Sequence, residues 1–202
     1  MNFAEYNVKD ANLEEVLLAL KSLNTVEAVA LGGSRSTGAS DENSDYDIYV
    51  YCAEIPTAET RENLLEKYCS IAEFGNHYWE SEDNTVMNNG IPVDIIYREV
   101  DRFGRYIDTV IKGGKAFNGY TTAFWHNIKN SKVLFDKTGT FTKFRNMAQI
   151  DFPENLRSAI IKNNRNLLNG KLPSYDRQIK KAQERGDIVS VNHRITAFLE
   201  SY

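Results

Sequence analysis

The feature that most constrains this 202-residue sequence is a short apolar run that stops at two glycines. Residues 26–31 are small and apolar, which predicts a buried strand, and Gly32 and Gly33 then allow a tight turn. A helix that begins near Ser34 would point unpaired backbone amides and the serine hydroxyl at an anion, and Arg35 would add positive charge. Taken alone, the same residues also fit a turn with an N-cap serine and no ligand.

Two carboxylates follow this turn. Asp45 and Asp47 stand two apart in a β-rich segment, so their side chains are predicted to face the same way. Neighbouring carboxylates repel each other unless a cation lies between them, and Mg²⁺ prefers oxygen ligands of this kind. The pair therefore predicts a platform for a metal and a triphosphate. The alternative is the solvent-facing edge of a half-exposed strand.

A third acid, Asp94, lies in the otherwise apolar segment 92–96. A carboxylate in such a strand is rarely buried unless it is paired or bound to a metal. If its strand lies beside the one with Asp47, the acids form one site. The alternative is a salt bridge from Asp94 to Arg98 or Lys112.

Hydrophobic periodicity and turn residues predict the other elements. We expect a first helix over 12–23, with Asn12 and Glu15 as a capping box. A hairpin is predicted around the Asn-Gly pair at 89–90, from 85–87 to 91–97. The remaining predicted elements are a strand over 46–51, a helix through 64–72 closed by Gly75, a helix over 101–112 and a short apolar run at 133–135.

The character of the sequence changes after residue 152, where strand patterns give way to helical ones. We therefore predict a mixed α/β domain over residues 1–150 and a helical domain over 151–202. The last helix keeps its apolar period to Tyr202 without a Gly, Pro or cap, which suggests a truncated chain or a helix completed by another chain.

Composition narrows the classes of partner and location. The net charge of −4 argues against a dedicated nucleic-acid binder, which usually has a basic face. Cys52 and Cys69 have neither a metal-binding nor a disulfide-dense spacing. The amino-terminal residues have no signal-peptide pattern, and no long apolar stretch is present. We expect a cytoplasmic protein with no membrane partner.

The Gly-Gly-Ser turn, the Asp-Tyr-Asp motif at 45–47 and the later acid together resemble the nucleotidyltransferase superfamily that includes DNA polymerase beta. The resemblance covers about residues 25–135. Within the superfamily it is closest to the bacterial aminoglycoside and lincosamide nucleotidyltransferases and their uncharacterised relatives. It implies an α/β fold, with a small mixed sheet flanked by helices and a helical segment after it.

The resemblance also implies roles for individual residues. Gly33 and Ser34 would contact the triphosphate, with Arg35 beside them. Asp45 and Asp47 would bind Mg²⁺, or Mn²⁺ in its place. Asp94 would bind the catalytic metal or help to activate the acceptor hydroxyl.

The function expected from this resemblance is transfer of a nucleoside monophosphate, AMP from ATP, to a hydroxyl of a small-molecule acceptor. Pyrophosphate would leave, and antibiotic-like compounds are the first acceptors to consider. Two alternatives stay open, namely transfer to RNA or protein and an inactive nucleotide-binding domain. The oligomeric state is not predicted, and a homodimer is compatible with the sequence.

Overall fold

The strands of the molecule form one six-stranded sheet in the part of the chain that the structure describes. The computed structural model describes residues 9–41, 44–170 and 172–202. The strands are β1 (Val26–Leu31), β2 (Tyr46–Cys52), β3 (Cys69–Asn76), β4 (Ser81–Met87), β5 (Pro92–Glu99) and β6 (Lys132–Asp136).

Helices connect and flank these strands, and helices alone follow the last strand among the described residues. They are α1 (Ala11–Ser22), α2 (Gly33–Thr37), α3 (Ala58–Leu65), α4 (Val100–Ile111), α5 (Ala123–Asn130), α6 (Thr140–Ala148), α7 (Glu154–Leu168), α8 (Tyr175–Glu184) and α9 (Ile188–Ser201), with a 3₁₀ turn at Glu66–Tyr68. Among the described helices, none has the length and apolar composition needed to cross a bilayer.

The sheet order β3-β4-β5-β2-β1-β6 places β2 and β5 side by side and parallel, whereas the other neighbours are antiparallel. In the parallel pair Asp47 lies directly opposite Asp94. Because side chains alternate along a strand, these two acids share one face, which we call the site face. Ile48 and Ile95 share the opposite face, which we call the core face. The mixed sheet, its flanking helices and the helical segment that follows confirm the predicted fold class.

Helix α1 contributes to the hydrophobic core on the core face. Its buried residues Leu13, Val16 and Leu20 join Ile48 and Ile95 in one hydrophobic cluster. These helical residues recur at the spacing that forms one apolar side of a helix, so the sequence pattern and the packing agree.

The start of α1 differs from the prediction. The helix begins at Ala11, and the carboxylate of Asp10 accepts hydrogen bonds from the backbone amides of Asn12 and Leu13. The predicted capping box of Asn12 and Glu15 is therefore wrong. An aspartate in the extended conformation directly before a helix satisfies two otherwise unpaired amides, so Asp10 occupies the cap position.

The predicted helix through 64–72 is also wrong beyond Leu65. The chain passes through a 3₁₀ turn and enters the edge strand β3, where Ile71 pairs with Val86 of β4. Gly75 does not close a helix; it lies at an irregularity of β3 and donates its amide hydrogen to Asp83. Pairing with β4 satisfies the backbone of this segment, and this long-range contact overrides a local helical spacing.

The chain separates into two compact units. The first extends to Tyr106 and includes Trp125–Gln149, and the second comprises Ile107–Phe124 and Ile150–Tyr202. In the second unit α9 packs against both α7 and α8. The division into domains at residue 150 stays a prediction.

Candidate functional site

The two glycines after β1 are required by close contact with β2. The Gly32 amide donates to the Asp47 main-chain oxygen at 2.8 Å. Gly33 has a φ of +57°, and a Cβ at this position would overlap the Asp47 carboxylate. A Cβ at Gly32 would overlap the Tyr49 ring. The turn therefore brings bare backbone directly against the acidic side chain of β2.

Helix α2 begins at this turn and is a single short turn that ends at Thr37, with Gly38 as its C-cap. Ser34 is half-buried, and within the described residues its hydroxyl makes no hydrogen bond, although its main-chain oxygen accepts one from Thr37 Oγ1 at 3.1 Å. The first amides of a helix have no partner within the helix. The hydroxyl and these amides are donors in the turn whose Gly33 lies against Asp47.

Arg35 connects α2 to the start of β2. Its Nε donates to the main-chain oxygens of Ser44 and Asp45, both at 2.9 Å, and its guanidinium lies 4.1 Å from the centre of the Tyr46 ring. The Arg35 main-chain oxygen in turn accepts a hydrogen bond from Lys132 Nζ at 3.1 Å. The Arg35 side chain therefore holds the backbone that positions Asp45, and its predicted contact with a triphosphate stays a prediction.

Two of the predicted acids, Asp45 and Asp94, affect the ionisation of the third, Asp47. The pKa of Asp47 is raised from 3.8 to about 6, mostly by burial and in addition by the charges of Asp45 and Asp94. Within the described residues, neither Asp47 nor Asp94 forms an ion pair. The site is therefore short of positive charge, which favours binding of a cation or a proton.

A metal centre of three side chains is not already assembled. Across residues 9–41, 44–170 and 172–202, no group of three or more His, Cys, Asp or Glu side chains is arranged to hold a metal ion. Mg²⁺ commonly binds through one or two carboxylates and completes its shell with substrate phosphates and water. The oxygen donors of Asp47 and its neighbours, beside the Gly33 turn, fit such an ion.

Asp94 is held by an amide and not by the cations that the sequence suggested. Asn84 Nδ2 donates to Asp94 Oδ1 at 2.8 Å, and Asn76 Nδ2 donates to Asn84 Oδ1 at 2.7 Å. Sequence reasoning missed both asparagines. The period-two pattern of a strand over 81–87 would have put Asn84 on one face, but only the register with β5 places it opposite Asp94.

The two suggested cations pair with other acids. Arg98 makes a two-point ion pair with Glu80, at 2.8 Å from Nε and 2.7 Å from the terminal nitrogen. Lys112 pairs with Asp108 one helical turn away. The proposed salt bridge to Asp94 is therefore wrong for both residues.

Buried Arg98 also packs against Tyr49, whose ring lies beside Gly32 in the glycine turn. Its guanidinium lies 4.2 Å from the centre of the Tyr49 ring, the ring that excludes a side chain at Gly32. Asn127 donates to the Tyr49 hydroxyl at 3.2 Å. Burial is the largest effect on Tyr49 and raises its pKa to about 12. Tyr49 is thus a fixed neutral surface beneath the glycines.

Comparison with known proteins identifies this arrangement. Residues 13–117, just over half of the chain, match the family described as the nucleotidyltransferase domain. The chain belongs to this family. The matched part of the nucleotidyltransferase domain includes the glycine turn, Asp45, Asp47 and Asp94. No curated protein matches the sequence.

Several solved structures are similar to the chain at low identity. One is a nucleotidyltransferase-like protein from Exiguobacterium sibiricum, with 11% identity over 92% of this chain and a TM-score of 0.42. The chain spans about half of that protein, 51% of its length. A toxin–antitoxin structure with AMP-PNP has 16% identity, 87% and 96% coverage of the two chains and a TM-score of 0.39. The CD-NTase CdnG of Bradyrhizobium diazoefficiens, in complex with GTP, has 12% identity, 94% and 83% coverage and a TM-score of 0.34.

The nucleotidyltransferase domain brings most of the predicted residues to one place. Gly33 contacts Asp47, Ser34 follows Gly33 directly, and Asp94 faces Asp47 across the parallel strands. Asp45 stands one residue before β2 and is close enough to affect the ionisation of Asp47.

Proposed function

We propose that this domain transfers AMP from ATP to a hydroxyl group of a small-molecule acceptor and releases pyrophosphate. The observation that carries the proposal is the direct contact of the Gly33 turn with Asp47, which itself lies opposite Asp94. This contact puts donors for phosphate oxygens and ligands for a cation within one small region. Nucleotidyl transfer requires that both the donors and the cation act on the phosphates of the same nucleotide.

The triphosphate would bind at the start of α2. The amides of the first turn and the Ser34 hydroxyl donate to the β and γ phosphates, where the backbone amides favour negative charge. The absence of side chains at Gly32 and Gly33 lets the phosphates approach the backbone.

Asp45 and Asp47 would hold Mg²⁺, or Mn²⁺ in its place, together with the phosphates. When bound, the metal neutralises charge at the phosphates and lowers the pKa of a coordinated hydroxyl. The raised pKa of Asp47, about 6, supports this assignment because a carboxylate crowded by burial and like charge gains most from a nearby cation.

Asp94 would orient the acceptor hydroxyl and take its proton. The hydroxyl oxygen forms a bond to the α-phosphorus, while the bond from that phosphorus to the pyrophosphate oxygen breaks. The proton passes to the Asp94 carboxylate, and pyrophosphate leaves with the charge of the broken bond. The position of Asp94 opposite Asp47 supports its placement close to the reacting phosphate.

The acceptor would be a cationic hydroxyl compound of the aminoglycoside type, with lincosamides as a second group. Glu82 shares the site face with Asp94, and burial, followed by the charges of Asp94 and Glu80, raises its pKa. Together with the net charge of −4, these acids favour an acceptor with positive charge and disfavour RNA.

Transfer of label tests this function. The chain would be incubated with Mg²⁺ and ATP labelled at the α-phosphate, and with an aminoglycoside, a lincosamide, RNA or a protein mixture as acceptor. We expect label on a small molecule together with release of unlabelled pyrophosphate. Label on RNA or protein would replace the small-molecule acceptor, and no label or pyrophosphate with any acceptor would favour an inactive nucleotide-binding domain.

A further inference from the structure

A row of polar side chains crosses the site face and includes the proposed base, Asp94. Asn76 of β3, Asn84 of β4, Asp94 of β5 and Asp47 of β2 lie on adjacent strands, and the last three are paired in register. Hydrogen bonds run along the row from Asn76 to Asn84 and from Asn84 to Asp94, at 2.7 and 2.8 Å.

The chemistry of the groups fixes the direction of this row. A carboxylate only accepts hydrogen bonds, so Asn84 must present its amide nitrogen to Asp94. The Asn84 oxygen then faces β3, where it needs a donor, and Asn76 supplies one. The two asparagines therefore hold each other in the one orientation that donates to Asp94.

We propose that Asn84, oriented by Asn76, is a positioning residue that fixes the Asp94 carboxylate for the reaction. The Asn84 amide occupies Oδ1, and within the described residues Oδ2 makes no hydrogen bond, so Oδ2 is the oxygen that meets the acceptor hydroxyl or the metal. This inference rests on the proposed function for the role of Asp94, but the hydrogen bonds on which it depends are independent of that function.

An amide suits this task better than a charged side chain. A lysine or arginine at position 84 would neutralise Asp94 and compete with a metal ion, and an aspartate would add a further carboxylate to a site already crowded with negative charge. Asparagine donates a hydrogen bond without changing the charge of the site. It therefore restricts the rotation of Asp94 and preserves its capacity to bind a proton or a cation.

The first test is structural and needs no turnover. We expect the crystal structure of Asn84→Ala to have Asp94 in a different or disordered side-chain conformation. Asn76→Ala should have a rotated Asn84 amide. An Asp94 side chain unchanged in Asn84→Ala would overturn the positioning role, whether or not the protein is a nucleotidyltransferase.

The second test is kinetic and uses pyrophosphate release from Mg²⁺-ATP, with an aminoglycoside as acceptor or with water where no aminoglycoside reacts. Asn84→Ala should lower kcat roughly 10- to 100-fold, because a misplaced reacting group costs about this much, and should leave the KM for ATP unchanged. Asn88→Ala is the matched control, because Asn88 belongs to the same hairpin but donates to the Lys67 main-chain oxygen. This control should retain the wild-type kcat.

A double-mutant cycle separates positioning from a general loss of structure. If Asn84 acts through Asp94, Asn84→Ala should cause no further loss in an Asp94→Asn background. Additive losses would overturn the proposal. Failure of the wild type to bind ATP or release pyrophosphate would instead refute the proposed function, and the crystal structure of Asn84→Ala would still decide the positioning role.

Discussion

Neighbouring residues of β4 show how differently the protein treats two carboxylates, one on each face of the sheet. Asp83 points to the core face, is fully buried, and accepts hydrogen bonds from Arg61 at 2.8 Å and from the Gly75 amide at 2.9 Å. Asn84 points to the site face and donates to Asp94, which lies opposite Asp47. The protein supplies a cation to Asp83. It supplies an amide to Asp94 and leaves the charge of that carboxylate in place.

The pKa shifts of the two aspartates have different origins. Burial raises the pKa of Asp83, while the Gly75 amide and the Arg61 charge oppose that rise. Burial also raises the pKa of Asp47, but there the charges of Asp45 and Asp94 add to the rise. A carboxylate paired within the protein serves the fold, whereas carboxylates that repel one another are suited to an external cation.

The largest expected effect is on turnover after loss of the Asp47 charge. Asp47→Asn should lower kcat at least about 100-fold, because changing residues that only support a metal ligand already costs 10- to 100-fold. Steady-state pyrophosphate release would measure this. Glu54→Gln removes an exposed charge just beyond the other end of β2 and should retain activity. An equal loss of kcat in the two variants would contradict the assignment of Asp47 as a metal ligand.

On the core face the corresponding change should affect stability. Asp83→Asn leaves buried Arg61 without its charged partner, which should lower the free energy of unfolding by about 3–5 kcal/mol. Urea unfolding would measure it. Asp108→Asn breaks an exposed ion pair with Lys112 and should cost at most about 1 kcal/mol. A cost for Asp83→Asn no larger than that of the control would contradict the structural role of the Arg61 pair.

Two glycine variants test whether the contact of Gly33 with Asp47 affects turnover beyond the effect of backbone strain on stability. Gly33→Ala and Gly38→Ala both introduce a side chain at positive φ, at +57° and +79°, and each should cost about 1–2 kcal/mol of stability. The added Cβ would overlap the Asp47 carboxylate at Gly33 but meets open space at Gly38. Gly33→Ala should therefore lower kcat about 100-fold as well, whereas Gly38→Ala should not. Equal kcat values would exclude a role for this contact.

The smallest expected effect is on the pH dependence of stability. Because the folded pKa of Asp47 lies above its ordinary value, the folded state holds the proton more tightly than the unfolded chain does. Without metal, the stabilisation that protonated Asp47 contributes to the free energy of unfolding should fall as the pH rises from about 4 to about 6 and stay lost above that range. We expect this loss to lower the free energy of unfolding by about 1 kcal/mol, after allowing for solvent screening of the half-buried Asp47.

Thermal unfolding of the wild type and Asp47→Asn between pH 3.5 and 7.5 would measure this contribution. The variant should become the more stable protein at neutral pH without Mg²⁺. A difference between the two proteins that does not change with pH would contradict the raised pKa of Asp47.

The sequence predicted the parts of the site that depend on local chemistry. A glycine pair after an apolar strand and two acids at a spacing of two are local patterns, and the structure has Gly33 against Asp47. Asp94 was predicted from an acid in an apolar strand, and the parallel register places it opposite Asp47. The fold class could be predicted for the same reason, because most strands and helices have clear periodicity.

Most of the errors and omissions depend on long-range contacts; the cap of α1 is a local exception, because Asp10 accepts from the amides of Asn12 and Leu13. The pattern through 64–72 fits a helix, and only pairing with β4 makes its second half a strand. The engagement of Arg35 with main-chain oxygens, and of Asn84 with Asp94, depends on how distant segments meet. Local spacing contains no information about such contacts, so these residues could not be assigned from the sequence.

The central claim is that, within the described residues, Asp47 and Asp94 have no cationic partner and that Mg²⁺ bound together with a nucleotide supplies one. Calorimetric titration with a non-hydrolysable ATP analogue, with and without Mg²⁺, tests it most directly in the wild type and in Asp47→Asn. We predict tight binding only for the wild type with Mg²⁺. Equal affinity with and without Mg²⁺, or in both proteins, would contradict the claim.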